Sequence, residues 1–315
     1  MSLFSGQGRD NAITVTLRNE GMKIGVVNYG NSLLPGGINK VVLETSKSFS
    51  DRGHEVRIFQ PVGGIIPEDN EMRHEIFELV PPIFPAPINY SRRFIRNLLE
   101  EVESFDPEIL HVHGHMNLLS HQVIRSVKRR FPHLIVVFSP HFDSALSTRV
   151  IKPFFPIFNR LFGLKSANFA DRIICFSEFE ANSFSQAIGY HDANIDIIPH
   201  GVDWEAKVDT VFWDSELRLI YCGHVIRRKR VDRLIHLICA LKKIEPDLEI
   251  KVTIAGEGPE RVAVESLAKR LDVHHMVDWQ GFLERETMIE SMEGNHIFVL
   301  LSDSEAFGIS VSEML

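Results

Sequence analysis

The closing stretch SDSEAFGISVSEML contains two glutamates whose spacing could serve sugar chemistry. Glu305 and Glu313 stand eight residues apart, with Gly308 between them. If a helix begins here, its free N–H groups form an anion site, and the glycine lets a ligand approach the backbone. Carboxylates accept hydrogen bonds from sugar hydroxyls, and a phosphate would meet the N–H groups. Taken alone, the pair is more simply explained as a loop glutamate and a solvated helix glutamate.

A run of cations lies in YCGHVIRRKRVDRL, where Gly223 ends a predicted strand and a helix follows. The basic residues just before that helix are Arg227, Arg228, Lys229 and Arg230. Such side chains suit a diphosphate, because they attract its charge and donate strong hydrogen bonds to its oxygens. The alternative is a solvated basic turn, which is the usual role of a charge run.

Two further glycine pairs follow predicted strands. In LLPGGINKVV, Gly36 and Gly37 form a strand-to-helix turn that could admit a phosphate or a sugar face, or be a plain tight turn. In AGEGPE, Gly256 and Gly258 precede a helix that Pro259 opens. As a dinucleotide-binding fingerprint this second pattern is weak, since the third glycine is missing.

Histidines cluster in HVHGHMNLLSH and again in FSPHFDS. His111, His113 and His115 would share one face only if the strand continued through Gly114, so no metal site is predicted. His141 stands at the end of the next predicted strand, where it could donate to or accept from a substrate hydroxyl. A packed or surface histidine is the alternative.

These candidates need a scaffold, and alternating elements supply it. Near-continuous apolar runs separated by amphipathic helical patterns indicate a parallel sheet covered on both faces. The first strand-like runs are KIGVVNY, VRIFQ, ILHVHG, LIVVFSP, RIICFSE and IDIIPHG. After an irregular stretch at 199–215 a second series follows, with the runs LRLIYCG, KVTIAG, VDWQGF and HIFVLLS. Ligands of such folds bind beyond the carboxyl ends of the strands, where all the candidates above stand.

The predicted architecture is therefore α/β, with two doubly wound Rossmann-like domains. Residues 1–21 are expected to be an N-terminal extension, 22–210 the first domain and 211–315 the second. The second domain has few strands and stops near the start of a helix without a stop signal. We therefore expect the chain to end before the natural fold does.

The composition of the chain excludes some classes of function. A chain of 315 residues, 44% hydrophobic and with a net charge of −8, is globular and is not a nucleic-acid protein driven by bulk phosphate attraction. Cys175, Cys222 and Cys239 are expected to be packed thiols, which indicates a reducing, cytoplasmic compartment. The basic and aromatic segment Ser147–Ser166 is expected to pack on the sheet, while peripheral contact with the inner face of a membrane stays open.

In this order, the motifs resemble those of the retaining glycosyltransferases of family 4, which have the GT-B fold. The resemblance covers nearly all of 23–315, and SEAFGISVSEML matches the family's motif of two glutamates with seven residues between them. Further matches are LLPGGINKVV, DPEILHVHGH, ADRIICFSE, NIDIIPHGVD, LIYCGHVIRRKRVDRLI, VTIAGEGPE and VDWQGFL.

The resemblance implies roles for individual residues in the second domain. Glu305 would hold hydroxyls of the donor sugar, Lys229 its diphosphate, and Glu313 the ribose hydroxyls. Backbone groups of Phe307, Gly308 and Ile309 would meet the sugar and the distal phosphate, and those of Gly281 and Phe282 would contact the nucleobase. His224 stands where the family usually has an arginine, so Arg227 or Arg228 would take over that phosphate contact, or His224 would bind it more weakly.

In the first domain the resemblance assigns two more residues. His141 would contact the sugar near the reacting carbon, and Gly37 lies in the loop that approaches the donor phosphates. The implied enzyme is a hexosyl-type transferase that needs neither metal nor cofactor and whose acceptor is an unknown hydroxyl compound. Two alternatives remain: a sugar-nucleotide 2-epimerase, and an inactive module that only binds sugar nucleotides.

Overall fold

The structure, a computed structural model, describes residues 21–30, 32, 36–61, 75–79, 90–143, 155–191, 194–201, 216–303, 305, 308 and 311. Contacts divide the chain into two compact units, Met1–His200 (unit 1) and Gly201–Leu315 (unit 2). Nearly all of the predicted extension 1–21, and the predicted domain boundary near residue 210, lie outside the described residues. Both therefore stay predictions.

Unit 1 contains a parallel sheet of seven strands in the order β3-β2-β1-β4-β5-β6-β7. Its strands are β1 Lys23–Val27, β2 Glu55–Pro61, β3 Glu75–Leu79, β4 Ile109–His113, β5 Ile135–Ser139, β6 Arg172–Cys175 and β7 Ile195–Ile197. Its helices are α1 Gly37–Asp51, α2 Arg92–Phe105, α3 Leu118–Arg130, α4 Phe155–Phe158, a π-helical turn Asn159–Gly163, α5 Leu164–Phe169 and α6 Glu178–Ile188.

Alternation along the strands of unit 1 builds a core on each face of the sheet. Leu110 and Val112 of β4 are fully buried in a cluster that also contains the apolar faces of α2, α3 and α6. Ile24 and Val26 of β1 pack with Val42 of α1 in a separate cluster. Helices thus cover both faces, as the apolar strand pattern predicts.

Side chains at the helix starts set where three of these helices begin. Ser91 precedes α2, Asn117 precedes α3 and Ser177 precedes α6, and each accepts a hydrogen bond from a backbone N–H in the first turn at 2.7–3.1 Å. Such a cap stabilises a helix by about 1 kcal/mol. At the other end of α6, Gly189 takes the left-handed conformation that commonly ends a helix.

Unit 2 contains a four-stranded parallel sheet in the order β10-β9-β8-β11. Its strands are β8 Glu216–Cys222, β9 Glu249–Ala255, β10 Val277–Gly281 and β11 Ile297–Phe298, and its helices are α7 Val231–Ile244, α8 Arg261–Arg270 and α9 Arg285–Glu293. The predicted strand HIFVLLS is longer than β11. Pairing with β8 ends at Val299, and the chain then turns away so that the N–H of Asp303 bonds the carbonyl of Arg228 at 2.9 Å.

Strand order creates a topological switch point in each sheet. From β1 the chain of unit 1 continues to β2 on one side, while β4 lies on the other side. In unit 2 the chain runs from β8 to β9 on one side, and β11 lies on the other. Ligands of open α/β sheets bind at such points, beyond the strand carboxyl ends. A ligand-binding site is therefore expected at the turns that follow β1, β4, β8 and β11.

The basic and aromatic segment packs inward along its described part, 155–166. Phe155 is buried, and the rings of Phe158 and Phe162 lie 5.4 and 6.1 Å from that of His121. This confirms the packing prediction for those residues, although Ile157 and Leu161 stay exposed. No helix among the described residues has the length and apolar character needed to span a bilayer.

The cysteines also fall as predicted. Cys175 ends β6 and Cys222 ends β8, and both are buried, while Cys239 lies half-buried in α7. All three are free thiols. Burial raises the pKa of the Cys175 thiol far above its ordinary value, and the nearby Glu180 adds to the rise, so this thiol is protonated and unreactive.

The glycines of AGEGPE allow two strand-end turns of unit 2 to touch. A Cβ at Gly256 would lie 1.8 Å from the carbonyl oxygen of Gly223, and one at Gly258 would lie 2.3 Å from that of Val225. The turns are joined by backbone hydrogen bonds from Gly223 to Ala255 and from Val225 to the residue after Gly256. Close backbone packing therefore accounts for this glycine pattern without a dinucleotide.

We expect Gly256→Ala to destabilise unit 2 by about 1–3 kcal/mol, because the new methyl group must push the Gly223 carbonyl aside. Gly294→Ala is the matched control, since a Cβ there meets no atom within 4 Å. Urea unfolding followed by circular dichroism measures both. Equal stability of the two variants would contradict the close approach.

Candidate functional site

At the switch point of unit 2, a lysine from one turn meets a glutamate from another. Lys229 lies in the turn between β8 and α7, and Glu305 follows β11. The Nζ of Lys229 donates to Oε1 of Glu305 at 2.5 Å, and both side chains are largely buried. Sequence reasoning selected both residues, and the fold brings them together across 76 positions of the chain.

Two further groups hold the same carboxylate. The hydroxyl of Ser302 donates to Oε1 of Glu305 at 2.6 Å, and Nη1 of Arg228 lies 3.6 Å from Oε2. Among the described residues of this junction, Arg228 and Lys229 carry one positive charge each and Glu305 carries one negative charge. A ligand with negative charge is therefore favoured at this junction.

The neighbouring arginine has a structural role. Arg230 adopts a left-handed backbone, with φ of 52°, at the start of α7, which costs about 1–2 kcal/mol for a residue other than glycine. Its guanidinium bonds Asp232 at 2.9 Å and Asp303 at 3.1 Å, and Arg233 pairs with Asp303 at 2.8 Å. These ion pairs join the turn after β8 to the turn after β11 and so support the Lys229–Glu305 contact.

The other predicted residues of the cation run face elsewhere. His224 and Arg227 are exposed, and neither contacts Glu305 among the contacts that the structure describes. The His224 carbonyl accepts a hydrogen bond at 2.8 Å from the buried hydroxyl of Tyr221. Burial raises the pKa of Tyr221, and the nearby charge of Glu305 raises it further. Of the predicted diphosphate contacts, Lys229 and Arg228 are thus the two gathered at the junction.

Two glycines predicted to bind the donor adopt backbone conformations that favour glycine. Gly281 and Gly308 both have positive φ, of 71° and 77°, and the side chain of Phe282 is 56% exposed beside the first. The N–H of Val311 bonds the carbonyl of Gly308 at 2.8 Å, which is a turn of the kind that opens a helix. Phe307, Ile309 and Glu313 lie outside the described residues, so their roles stay predictions.

In unit 1 the histidines gather at the carboxyl ends of β4 and β5. His111 and His113 share one face of β4, with ring centroids 4.0 Å apart. Nδ1 of His113 lies 2.9 Å from Nε2 of His141. The ring of Phe176, which follows β6, lies 4.8 Å from that of His141 and 3.7 Å from that of His200. The result is a stack of rings at the carboxyl ends of the strands.

His115 does not belong to that stack, because the strand does not continue through Gly114. The strand ends at His113, and His115 bonds Oδ1 of Asn159 at 2.8 Å within the aromatic core. Gly114 takes a positive φ of 88°, and a side chain there would overlap the ring of Tyr29. The chain turns at this glycine, so His113 and His115 lie in different surroundings.

Burial keeps the stacked histidines neutral at pH 7. It lowers the pKa of His111 and of His200 to about 4. It also holds the pKa of His113 and of His141 well below the ordinary value, and the neighbouring rings lower both further. Neutral imidazoles can donate or accept a hydrogen bond without adding charge to a site.

A buried carboxylate fixes the loop that carries His141. Oε1 of Glu180 accepts from the N–H of Phe142 at 2.7 Å, and Oε2 accepts from the N–H of Phe176 at 2.8 Å. Phe142 directly follows His141, whose backbone has a strained φ of 48°. Glu180 thus ties together the turns after β5 and β6. Sequence reasoning missed this residue, because a glutamate in the first turn of a helix is common at exposed positions.

The turn that enters α1 completes the described edge of unit 1. Gly36 and Gly37 open the helix, and no side chain caps it. Oδ1 of Asn39 accepts from Nδ2 of the buried Asn28 at 3.0 Å, and a Cβ at Gly36 would lie 3.3 Å from the Asn39 amide. Gly37 therefore opens α1 at the predicted strand-to-helix turn, while its contact with a phosphate stays a prediction.

One group of side chains in the described part of the chain has metal-ligand spacing. Ligand atoms of Asp272, His274 and His275 lie within 4.8 Å of one another, and all three residues are exposed. They precede β10, at the opposite edge of the sheet from Lys229 and Glu305. An ion there would not reach the charged junction.

Comparison with known proteins identifies the family. The profile described as "Glycosyltransferase Family 4" matches residues 35–206, and that described as "Glycosyl transferases group 1" matches 203–315. The chain belongs to glycosyltransferase family 4. This confirms the resemblance drawn from the motifs.

Similar proteins include several named for phosphatidylinositol. The chain is 24% identical over 88% of its length to a subunit of the phosphatidylinositol N-acetylglucosaminyltransferase of Homo sapiens. It is also 24% identical over 89% of its length to a GDP-mannose-dependent phosphatidylinositol dimannoside mannosyltransferase of Mycobacterium tuberculosis. The match spans 57% of the human protein and 73% of the mycobacterial one.

Solved structures confirm the fold, α/β with two Rossmann-like domains of the GT-B type. The lipopolysaccharide outer core galactosyltransferase WaaB superposes with a TM-score of 0.68 at 16% identity, over 93% of this chain and 77% of its own. HepE of Anabaena, solved in complex with UDP, gives 0.68 at 16% identity, over 93% and 78%.

We expect Glu180 to make the stability of the protein depend on pH. Burial raises its pKa to about 7, so the folded state holds the proton more tightly than the unfolded state does. The stability of the wild type relative to Glu180→Gln should therefore be greatest below about pH 4.3 and fall by about 2–3 kcal/mol between pH 5 and pH 8. Urea unfolding across that range measures the difference.

The exposed Glu178, on the same first turn of α6, provides the control. Glu178→Gln removes an exposed carboxylate from the same turn and is the control for the loss of one charge. A constant difference between the wild type and Glu180→Gln would show that Glu180 does not titrate in this range.

Proposed function

We propose that this chain binds a nucleotide-diphosphate sugar in unit 2 and transfers the sugar to a hydroxyl acceptor. The observation that carries the proposal is the contact of Lys229 with Glu305 at the switch point of the second sheet. It combines a cation suited to a phosphate with a carboxylate suited to sugar hydroxyls, in the family to which the chain belongs. The second cation of the junction, Arg228, also supports an anionic ligand.

The chemistry of transfer explains why cations are needed there. When the bond from the anomeric carbon to the diphosphate breaks, negative charge develops on the leaving oxygen while the sugar becomes cationic. Lys229 and Arg228 would stabilise that oxygen, and Glu305 would orient the sugar through its hydroxyls. Fixed cations make a metal ion unnecessary in this scheme.

Retention of configuration is part of the proposal. The acceptor hydroxyl would attack from the face that the diphosphate leaves, and its proton would pass to a phosphate oxygen of the leaving group. The new bond joins the acceptor oxygen to the anomeric carbon, and the nucleoside diphosphate departs with the electron pair. His141, at the strand-end edge of unit 1, is proposed to contact an oxygen of a substrate sugar.

The names of the relatives suggest which substrates to test first. Relatives matched over nearly the whole chain are named for phosphatidylinositol or its mannosides, and the mycobacterial ones are named for GDP-mannose. We therefore propose an inositol lipid as the first acceptor. Peripheral contact with a membrane follows from such an acceptor, and a cytoplasmic face is the proposed location.

Donor binding is tested by thermal unfolding with a panel of UDP-, GDP- and ADP-sugars. A ligand present at 100 times its Kd stabilises the folded state by about 2.7 kcal/mol, which for units of this size raises Tm by several degrees. We expect one nucleotide class to give such a shift. Failure of every member of the panel would contradict the proposal.

Two variants test whether the junction is the site. Lys229→Met and Glu305→Gln should each weaken donor binding about 10-fold or more, since each removes a charge-assisted hydrogen bond. Lys243→Met removes an exposed lysine at the far end of α7 and is the control for net charge. A wild-type shift in both junction variants would exclude this site.

Product analysis separates transfer from the alternatives. The wild type, incubated with the donor that binds and with phosphatidylinositol vesicles, should release nucleoside diphosphate and form a glycolipid of retained anomeric configuration. An epimerised donor would identify a 2-epimerase, and unchanged donor an inactive binding module. Proton NMR of the anomeric signal distinguishes the three.

A further inference from the structure

The hydrogen bond between His113 and His141 determines where the proton of His141 lies. Burial keeps both rings neutral, so each carries one N–H and one bare nitrogen. Nδ1 of His113 and Nε2 of His141 are 2.9 Å apart, and one of them must donate. Two arrangements satisfy this bond, and they differ in which nitrogens remain unpaired.

In the first arrangement Nδ1–H of His113 donates to a bare Nε2 of His141. The remaining nitrogen of His113, Nε2, is then bare, and the proton of His141 is on Nδ1. In the second arrangement His141 donates from Nε2–H, and the proton of His113 must lie on Nε2. The choice therefore depends on the surroundings of Nε2 in His113.

That nitrogen is buried and has no hydrogen-bond partner among the residues that the structure describes. His113 is fully buried, and its ring is flanked by that of His111 at 4.0 Å. A buried N–H without an acceptor is rare in folded proteins, and an unpaired acceptor is tolerated more often. The second arrangement would bury such an N–H, whereas the first buries only a lone pair.

We propose that His113 is a positioning residue that holds His141 as its Nδ1–H tautomer, so that His141 donates a hydrogen bond to a ligand oxygen. The backbone around His141 is fixed by Glu180 through the N–H of Phe142 and that of Phe176. The ring of Phe176 fixes the plane of the imidazole from one side. His141 is partly exposed, and no described residue bonds its Nδ1.

The chemical consequence is a neutral donor aimed at an oxygen that has a lone pair, such as a sugar hydroxyl or a ring oxygen. This use of the tautomer rests on the proposed function, whereas the tautomer itself does not. A neutral donor binds such an oxygen without adding a positive charge to the surroundings of the ligand.

Nuclear magnetic resonance of the full chain labelled with ¹⁵N-histidine tests the tautomer directly. Long-range ¹H–¹⁵N spectra at pH 7.5 distinguish protonated from bare ring nitrogens, and the signals lost in His141→Gln identify His141. We expect protonated Nδ1 and bare Nε2 in both His113 and His141. A protonated Nε2 in His141 would overturn the proposal.

Variants test whether His113 is the cause. In His113→Leu the Nε2 signal of His141 should move toward the protonated position, because the bond that keeps it bare is gone. In His113→Asn an amide N–H can replace Nδ1–H, so His141 should keep its tautomer. His111→Leu, which removes a buried neighbouring histidine that bonds Ser139, should also leave His141 unchanged. An unchanged His141 in all three would show that His113 does not set the tautomer.

The wild-type spectrum needs no variant to fold, so the proposal stays testable if a substitution destabilises unit 1. Thermal unfolding with UDP-N-acetylglucosamine and GDP-mannose, run beside it, separates the two proposals. If His141 is the Nδ1–H tautomer and neither compound raises Tm, the donor class fails and the tautomer stands. If a compound binds and His141 is protonated on Nε2, the reverse holds.

Discussion

The contact between Lys229 and Glu305 depends on the strand order of the second sheet. A lysine after β8 reaches a glutamate after β11 only because those two strands are neighbours, with β9 on the other side of β8. Each charge is partly withdrawn from water, so each needs the other until a ligand replaces it. Ser302 and Arg228 also contact the carboxylate of Glu305. The junction is thus ordered before any substrate arrives, which reduces the conformational entropy that binding must overcome.

The first sheet achieves order in a different way. It has few charges at its described strand ends and uses buried neutral rings, a buried carboxylate and backbone turns instead. Glu180 holds two turns through their N–H groups, and His113 holds His141. Unit 1 therefore offers directional hydrogen bonds from neutral rings, whereas the described junction of unit 2 offers cations.

Period and composition predicted the alternating elements because buried parallel strands are almost continuously apolar. Most of the predicted strands agree with the observed ones within two residues at each end. The edge strand Glu75–Leu79 was missed, since the glutamates at its first and fourth positions leave no continuous apolar run. Charge and spacing near glycines made Lys229 and Glu305 candidates, and the family resemblance implied their roles. Glu180 and the partner of His141 were not found, because burial and register, which one sequence does not display, determine their roles.

The two touching turns of unit 2 bear on how variation in this chain would be interpreted. A Cβ at Gly256 or Gly258 would meet backbone atoms of Gly223 or Val225, so neither residue can gain a side chain unless the opposing carbonyl moves away. Lineages that diverge in substrate would keep both glycines while the surface around them drifts. A survey of tolerated substitutions would then rank these positions with Lys229 and Glu305. If these two glycines were invariant, the reason would be steric exclusion of any side chain, and the invariance would carry no information about what the protein binds.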